Sequence, residues 1–457
     1  LERDLVEGDM FAREEFKTKV NDEMDKVAHT YEIFKNVQLR QTEDMAAFKD
    51  AKHELTKRLN GLNDLLNHKM YGAVESTKDY DAWYQSHQPF HWLAEFYEII
   101  NEHGGFDVII GNPPYVEYNK KIQGIAISDL YKLVGYKTIS CGNLYAYILE
   151  RSKKIMKQES FISMIVPLSG HSTERMAPLV MNFYEKFGLH LHLNLSADAN
   201  PQKLFEGVKF RLGIFIATDT GKGRYSTKYT RWLADERKIL FNALVRYNSI
   251  EDYTYQNIIP KIASPLFVSI AKKINTKKTQ YFIGVGNKQC LYHNTPVNWI
   301  RSHTFVPYFC SERDGEGITT QLKSVSFDNE NQIKVGSCIL NSSLFFIWWI
   351  TNSDCYHLNK PEIVNFKYQY DKGVEKEICS VADILAKDMK KKSIRRVYNY
   401  KTTGRVEYDE FYMKLSKPII DEIDKLLATH YGFTEEELDF IINYDIKYRM
   451  GDELNDK

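Results

Sequence analysis

Four consecutive residues, Asn112, Pro113, Pro114 and Tyr115, concentrate the chemistry of this chain. They follow Gly111 and the apolar run Phe106-Asp107-Val108-Ile109-Ile110, which has the texture of a strand buried on both faces of a parallel sheet. In open α/β sheets ligands bind at the carboxyl ends of strands, so the turn is expected at the functional edge. Two prolines in a row fix φ, remove two amide donors and push the residue ahead of each into an extended conformation. What remains is a rigid turn that presents acceptors: the Asn112 side-chain oxygen and the Pro113 carbonyl. Tyr115 adds a flat aromatic face. The arrangement suits a planar group bearing an NH2, whose two hydrogens the acceptors would take while the ring stacks on Tyr115. An ordinary proline turn is the plain alternative, and the rarity of this tetrapeptide after a buried strand argues against it.

The elements that must hold this turn follow from periodicity. Phe16, Val20, Met24, Val27, Tyr31 and Phe34 recur at steps of three and four, as do Phe48, Leu55, Leu59, Leu62 and Leu66. They predict a helical hairpin over residues 11–70, interrupted at Gln38–Asp44, whose stripes are core packing without chemistry. Beyond it come a helix at 92–100, the strand 106–110 and a helix at Asn143–Lys157. The strand Phe161–Val166, a helix over Thr173–Phe187, and strands at His190–Leu195 and Leu212–Ala217 complete the alternation. Strands alternating with helices argue for an α/β fold. After residue 220 the reading is β-rich, with Tyr281–Val285, Phe305–Phe309, Gln332–Val335 and Leu344–Trp349 as strands or short helices. Helices are expected over Lys417–Thr429 and from Thr434, an N-cap with a capping-box partner.

The chain has 457 residues, with 61 Lys+Arg against 61 Asp+Glu and 43% hydrophobic residues. At roughly 150 residues per domain this gives two to four globular units and excludes a disordered chain. The longest apolar run, Leu344–Ile350, is far short of the ~20 residues of a membrane helix, so no membrane partner and a cytoplasmic location are expected. Six scattered cysteines without a C-x-x-C pair argue for reduced thiols rather than zinc or a disulfide framework. Balanced totals hide an uneven distribution. Residues 1–105 and 406–457 each sum to about −8. Between 387 and 405, eight basic residues face one acid. Lys390, Lys391, Lys392, Arg395, Arg396, Lys401 and Arg405, interleaved with Tyr398 and Tyr400, form a candidate DNA-binding segment; a solvated charge run is the alternative. His190 and His192 alternate on a strand and are read as structural.

The segment FDVIIGNPPY resembles motif IV of the amino-group methyltransferases that use S-adenosylmethionine. GNLYAYILERSKKIMK (142–157), FISMIVPLSG (161–170) and KLFEGVKFRLGIFIA (203–217) resemble motifs V, VI and VIII of the γ-class DNA adenine-N6 enzymes, in that order. Residues 340–359 and 417–451 resemble the C-terminal region of large type IIG-like restriction–modification methylases and related phage-defence enzymes. The resemblance covers about residues 88–451.

It implies that Asn112 and Pro113 hold the adenine N6, with Tyr115 on one face of the base and Phe205 on the other. Core packing is the alternative for Phe205, and Phe210 is its rival. It also implies base flipping, double-stranded DNA as partner and direct displacement from the sulfonium without a metal. One departure stands out. The family's donor motif, F-x-G-x-G, is absent: the glycines upstream of the turn are Gly8, Gly61, Gly72, Gly104 and Gly105, and none makes it. With Leu1 at the first position, the chain is expected to be a C-terminal portion. Its donor half would lie in a missing N-terminal stretch or a partner subunit.

The expected fold class is α/β, a partial Rossmann-like methyltransferase sheet with an N-terminal helical hairpin and a mixed α+β target-recognition region. The expected domains are 1–90 (hairpin), 91–220 (catalytic region), 221–405 (target recognition) and 406–457 (helical segment). A DNA-binding specificity module without activity, or a methyltransferase acting on RNA or protein glutamine, are the competing functions.

Overall fold

The computed structural model describes residues 10–39, 44–73, 79–197, 204–205, 208, 210–277, 281–282, 284 and 286–451. Contacts divide the chain into two units. The first comprises Leu1–Met164, Asn182–Gly188 and Ala217–Gly221, and the second Ile165–Met181, Leu189–Ile216 and Lys222–Lys457.

The first unit opens with the predicted hairpin, α1 (Met10–Leu39) and α2 (Met45–Ala73). Val20, Met24 and Val27 of α1 form one buried cluster with Leu55, Leu62 and Leu66 of α2. Asp44 starts α2 by accepting from the amides of Ala46 and Ala47 at 3.1 and 3.0 Å. The expected break at Gln38–Asp44 falls largely on residues 40–43, outside the described residues.

Strand β1 (Phe106–Gly111) runs parallel to β2 (Met156–Pro167), with Val108 opposite Phe161 and Gly111 opposite Met164. Gly105 makes this approach possible. Its φ is +125°, and a Cβ there would sit 2.6 Å from the Ile155 carbonyl oxygen. The next amide, Phe106 N–H, donates to that same oxygen at 2.9 Å. The helix Leu144–Lys154 joins the two strands, ending earlier than expected because Met156 and Lys157 already belong to β2.

The remaining strands are β3 (Leu189–Leu195), β4 (Leu212–Thr218), β5 (Gly223–Thr230) and β6 (Tyr247–Ser249). With β1 and β2 they form one mixed six-stranded sheet, ordered β1-β2-β4-β3-β5-β6. β3 and β5 pair in parallel, and β5 and β6 antiparallel. The helix expected over Thr173–Phe187 is instead broken into short pieces, of which Ala177–Asn182 is the longest. Pro178 is one reason, since it lacks the amide that would continue an earlier turn.

The second unit adds two smaller sheets. One is β11-β7-β8, from β7 (Lys288–His293), β8 (Ser302–His303) and β11 (Leu322–Phe327). The other is β10-β9-β13-β12, from β9 (Phe309–Ser311), β10 (Gly315–Glu316), β12 (Ile394–Tyr400) and β13 (Gly404–Glu410). Of the segments expected here as strands or short helices, two are helical. Gln332–Val335 lies in helix Glu330–Asn341, and Leu344–Ile350 lies in helix Ser343–Asn352, every residue of which is buried. A helix buried all round has no polar face, so its period cannot be read from the sequence. Lys387–Lys392 ends the helix Lys372–Lys392, whose Ile378, Ala382, Leu385 and Met389 form its buried stripe.

The predicted capping box is present: Thr434 Oγ1 accepts from the Glu437 amide at 3.2 Å, and Glu437 Oε2 from the Thr434 amide at 2.8 Å. All six cysteines are free. No single helix among the described residues is long and apolar enough to cross a membrane.

Candidate functional site

The turn Asn112–Tyr115 leaves the carboxyl end of β1, as expected. Asn112 and Pro114 are exposed, Pro113 is buried and Tyr115 is half-buried. The Tyr115 hydroxyl donates to Asn112 Oδ1 at 2.7 Å, so the turn brings its acceptor and its aromatic face together. Burial pushes the Tyr115 phenol up to about 12, which keeps it neutral and a donor across the physiological range. Tyr145, buried at the start of helix Leu144–Lys154, meets the Tyr115 ring edge-on at 6.3 Å between centroids. The sequence reading passed over Tyr145, although it lies in the quoted stretch 142–157.

The chain beyond the turn is tied to the start of that helix. The Leu144 amide donates to the Val116 carbonyl and the Tyr118 amide to the Gly142 carbonyl, both at 3.0 Å. Gly142 has φ +66°, which the reversal there requires. Glu150, a buried carboxylate, accepts from the Lys137 and Thr138 amides at 3.1 and 2.9 Å and from the Thr138 hydroxyl at 2.7 Å. Tyr118 donates to the Tyr131 carbonyl at 2.5 Å and accepts from the Leu133 amide at 3.1 Å. The rigidity of the turn therefore comes from a hydrogen-bonded frame as well as from its prolines.

Among the described residues β1 is an edge strand, paired only with β2. Val108 and Ile110, two residues apart and hence on one face, are 54% and 79% exposed. Beside them is an apolar cavity of about 600 Å³, lined by Phe106, Val108, Leu133, Tyr136, Tyr147 and Ile148 among others. A strand with a buried-strand sequence thus carries an open edge and an uncovered apolar face. For a methyl donor the fit is poor. Gly61 and Gly72 lie inside α2, Gly104 and Gly105 precede β1, and Gly8 lies outside the described residues. Among the described residues no glycine-rich turn follows a strand upstream of β1.

Phe205 lies in the second unit with its side chain 48% exposed, as does Phe210 at 53%. Residues 203, 206, 207 and 209 around them are outside the described residues. The basic segment is largely neutralised within the fold. Arg395 pairs with Asp409 and Arg396 with Glu410, both at 2.7 Å; Arg405 pairs with Glu407 and Lys392 with Asp388. Lys390 lies over the Phe305 ring at 4.3 Å. Lys391 and Lys401 are exposed, and neither makes an ion pair or hydrogen bond among the described residues. His190 and His192 are buried and joined Nδ1 to Nε2 at 3.0 Å.

Several known proteins resemble this one. A protein of Methanocaldococcus jannaschii named as a type II restriction enzyme and methyltransferase is 31% identical over 112 residues, which is 24% of this chain and 9% of that protein. Among solved structures, the type IIL restriction-modification enzyme MmeI in complex with DNA aligns at TM-score 0.35 and 10% identity, covering 75% of this chain and 57% of that one. The type IIG restriction endonuclease BpuSI aligns at TM-score 0.26 and 11% identity, covering 74% and 52%. This chain therefore spans less than two thirds of each of these proteins. Residues 19–205, which include β1, its Asn112–Tyr115 turn and β2, match the family described as Eco57I restriction-modification methylase.

Proposed function

We propose that this chain is the acceptor-handling and DNA-recognising portion of a site-specific DNA methyltransferase of a restriction–modification system, acting on the N6 amino group of adenine. The observation that carries the reading is the Tyr115–Asn112 bond at 2.7 Å, at the carboxyl end of a strand inside the matched family segment. A hydroxyl donating to Asn112 Oδ1 occupies the place an amino hydrogen would take. An exocyclic amino group entering the turn would replace it, with a second hydrogen for the Pro113 carbonyl. Pro113 and Pro114 keep the acceptors from relaxing, and Tyr115 would stack on the base. Phe205 is the proposed second stacking face, and reaching such a pocket requires the adenine to leave the duplex. Acceptors fixed in advance favour the state in which the nitrogen becomes positive.

S-adenosylmethionine, when bound, supplies the methyl group. Because the described residues offer no turn to hold it, its binding half is proposed to be a further stretch of polypeptide, from the same protein or a partner subunit. The open edge of β1, with Val108 and Ile110 exposed, is where such a stretch would add a strand. The segments 91–220 and 221–405 are the proposed catalytic and target-recognition regions. Lys390, Lys391, Lys392, Arg395, Arg396, Lys401 and Arg405 are its proposed DNA-contacting cations, and Lys391 and Lys401 are the ones the fold leaves uncommitted.

A second reading, a DNA-binding module that transfers nothing, is favoured by the lack of a donor turn. Isothermal titration of this chain with S-adenosylmethionine, alone and with its complementing half, separates the two. Heat that appears only with the complementing half, together with N6-methyladenine in product DNA, supports the transferase. Duplex binding with no methylation in the assembled protein supports the module.

A further inference from the structure

Outside the acceptor turn, one charged side chain stands out for what it lacks. Arg301 precedes β8, whose backbone is fixed on both sides. The Ser302 amide donates to Asn341 Oδ1 and the Asn341 side-chain amide to the Ser302 carbonyl, both at 2.9 Å; the His293 amide donates to the Arg301 carbonyl at 3.0 Å. From this anchored position Arg301 lines a cavity of about 650 Å³, whose wall includes Tyr308, Tyr400, Tyr408, Thr402 and Thr403.

The carboxylates of that wall are held by other cations. Asp314 is paired with Arg313 at 2.8 Å and Asp409 with Arg395 at 2.7 Å. Glu410 is paired with Arg396 at 2.7 Å and accepts from the Tyr412 hydroxyl at 2.5 Å. The Arg301 guanidinium makes no hydrogen bond or ion pair with any described residue. Burial lowers its pKa while the nearby Glu410 and Tyr408 raise it, and it stays charged. The Arg301 side chain is half-buried, and the nearby Glu410 is already held by Arg396, so the guanidinium keeps its donors for a further anion.

We propose that this cavity is an anion site in which Arg301 receives a phosphodiester of bound DNA. The proposal rests on the DNA-binding reading above and gives it a residue that the basic segment does not contain. A guanidinium fork matches two phosphate oxygens at once, and threonine and tyrosine hydroxyls supply the neutral donors such an oxyanion accepts. The cavity reaches the β12–β13 turn, where the uncommitted Lys401 follows the half-exposed Tyr400, so it continues into the surface already assigned to DNA. The phosphate of a free nucleotide has the same chemistry, and the test separates the two sources.

The test uses the 457-residue chain, a labelled random-sequence duplex read by anisotropy over a salt series, and inorganic phosphate read by thermal melting. Arg301→Gln is expected to weaken duplex binding about ten-fold and reduce the salt slope by about one, while Lys425→Gln, at an exposed cation paired with Glu422, leaves the slope in place. Phosphate is expected to raise the melting temperature of the wild type but not of Arg301→Met. That variant gives up no hydrogen bond or ion pair among the described residues, only the charge interaction with nearby groups such as Glu410, and is expected to melt close to the wild type. Unchanged duplex affinity and slope in Arg301→Gln would overturn the proposal while leaving the DNA-binding reading intact. Stabilisation of the wild type by phosphate without any duplex binding would overturn DNA as the source and point to a free nucleotide. No duplex binding by the wild type would also remove the functional reading itself.

Discussion

The hydroxyl of Tyr115 and the Oδ1 atom of Asn112 lie 2.7 Å apart, donor to acceptor, across a turn stiffened by two prolines. On the proposed reading, the bond fills the acceptor until an amino group takes its place. A neutral hydrogen bond of this kind contributes about 1 kcal/mol, so substrate entry meets only a small opposing term. Tyr115→Phe removes the bond and keeps the aromatic face, and methylation by the assembled protein should stay within a few-fold of wild type. Tyr115→Ala removes the face and should lose about 1–3 kcal/mol of stacking, a ten-fold or larger drop in kcat/KM. Equal losses in the two variants would mean that the hydroxyl, not the ring, handles the base.

Acidification should destabilise the fold from about neutral pH downward. Burial holds His171 down to about 3, His190 and His430 to about 4, His293 to about 2 and His303 to about 3, with His192 also well below its ordinary range. A lowered histidine is neutral when folded and binds a proton once unfolded. Its contribution is therefore present above pH ~6.5 and is lost as pH falls toward the folded value. Glu362, raised to about 7, and Asp424, raised to about 6, act in the opposite sense over the same range. Six histidines outweigh two carboxyls, so the urea midpoint should fall between pH 7 and 5. A midpoint that rises instead would show that the histidine burial is wrong.

The strand–turn at Asn112 and the Thr434 capping box could be read before any fold was known because each is written within about ten neighbouring residues, and the hairpin because its apolar stripes repeat at helical spacing over residues 11–70. Other features depend on distant partners. Arg395 and Arg396 look like free cations in sequence, but the β12–β13 register sets Arg395 directly opposite Asp409, fourteen positions on. Strand β5 (GRYSTKYT) escaped the reading because its residues are mostly polar while Ser226, Thr227, Tyr229 and Thr230 are buried among paired strands. Arg301 leaves no local signal at all, since only the fold shows which carboxylates are already taken.

Thr434→Ala removes the Oγ1 acceptor for the Glu437 amide. Loss of an N-cap of this kind costs about 1 kcal/mol, which should appear as a lower urea midpoint with an unchanged slope. Thr434→Ser should restore most of it. An unaffected midpoint in the alanine variant would mean that the Glu437 half of the box, also bonded to Lys273 at 2.6 Å, suffices.

The thiols should divide by burial. Cys290 is pushed up to about 11 and Cys355 to about 12, Cys338 is raised further, and Cys141 is buried as well. Cys310 and Cys379 are only partly buried. An aromatic disulfide reagent at pH 8 should react quickly with no more than those two in the native chain and with all six after denaturation. Fast reaction of a third thiol would contradict the packing around Cys290, Cys338 or Cys355.

The central claim is that Asn112 receives the amino group of adenine. Mass spectrometry of nucleosides from the DNA of cells carrying the complete gene, wild type or Asn112→Ala, tests it most directly. Asn112 is exposed, and among the described residues its side chain is bonded to Tyr115 alone, so the variant should fold normally while methyl transfer falls by about 10²-fold or more. The account predicts N6-methyladenine in wild-type DNA and its loss in the variant at equal protein levels. N6-methyladenine at the wild-type level in Asn112→Ala cells would contradict it.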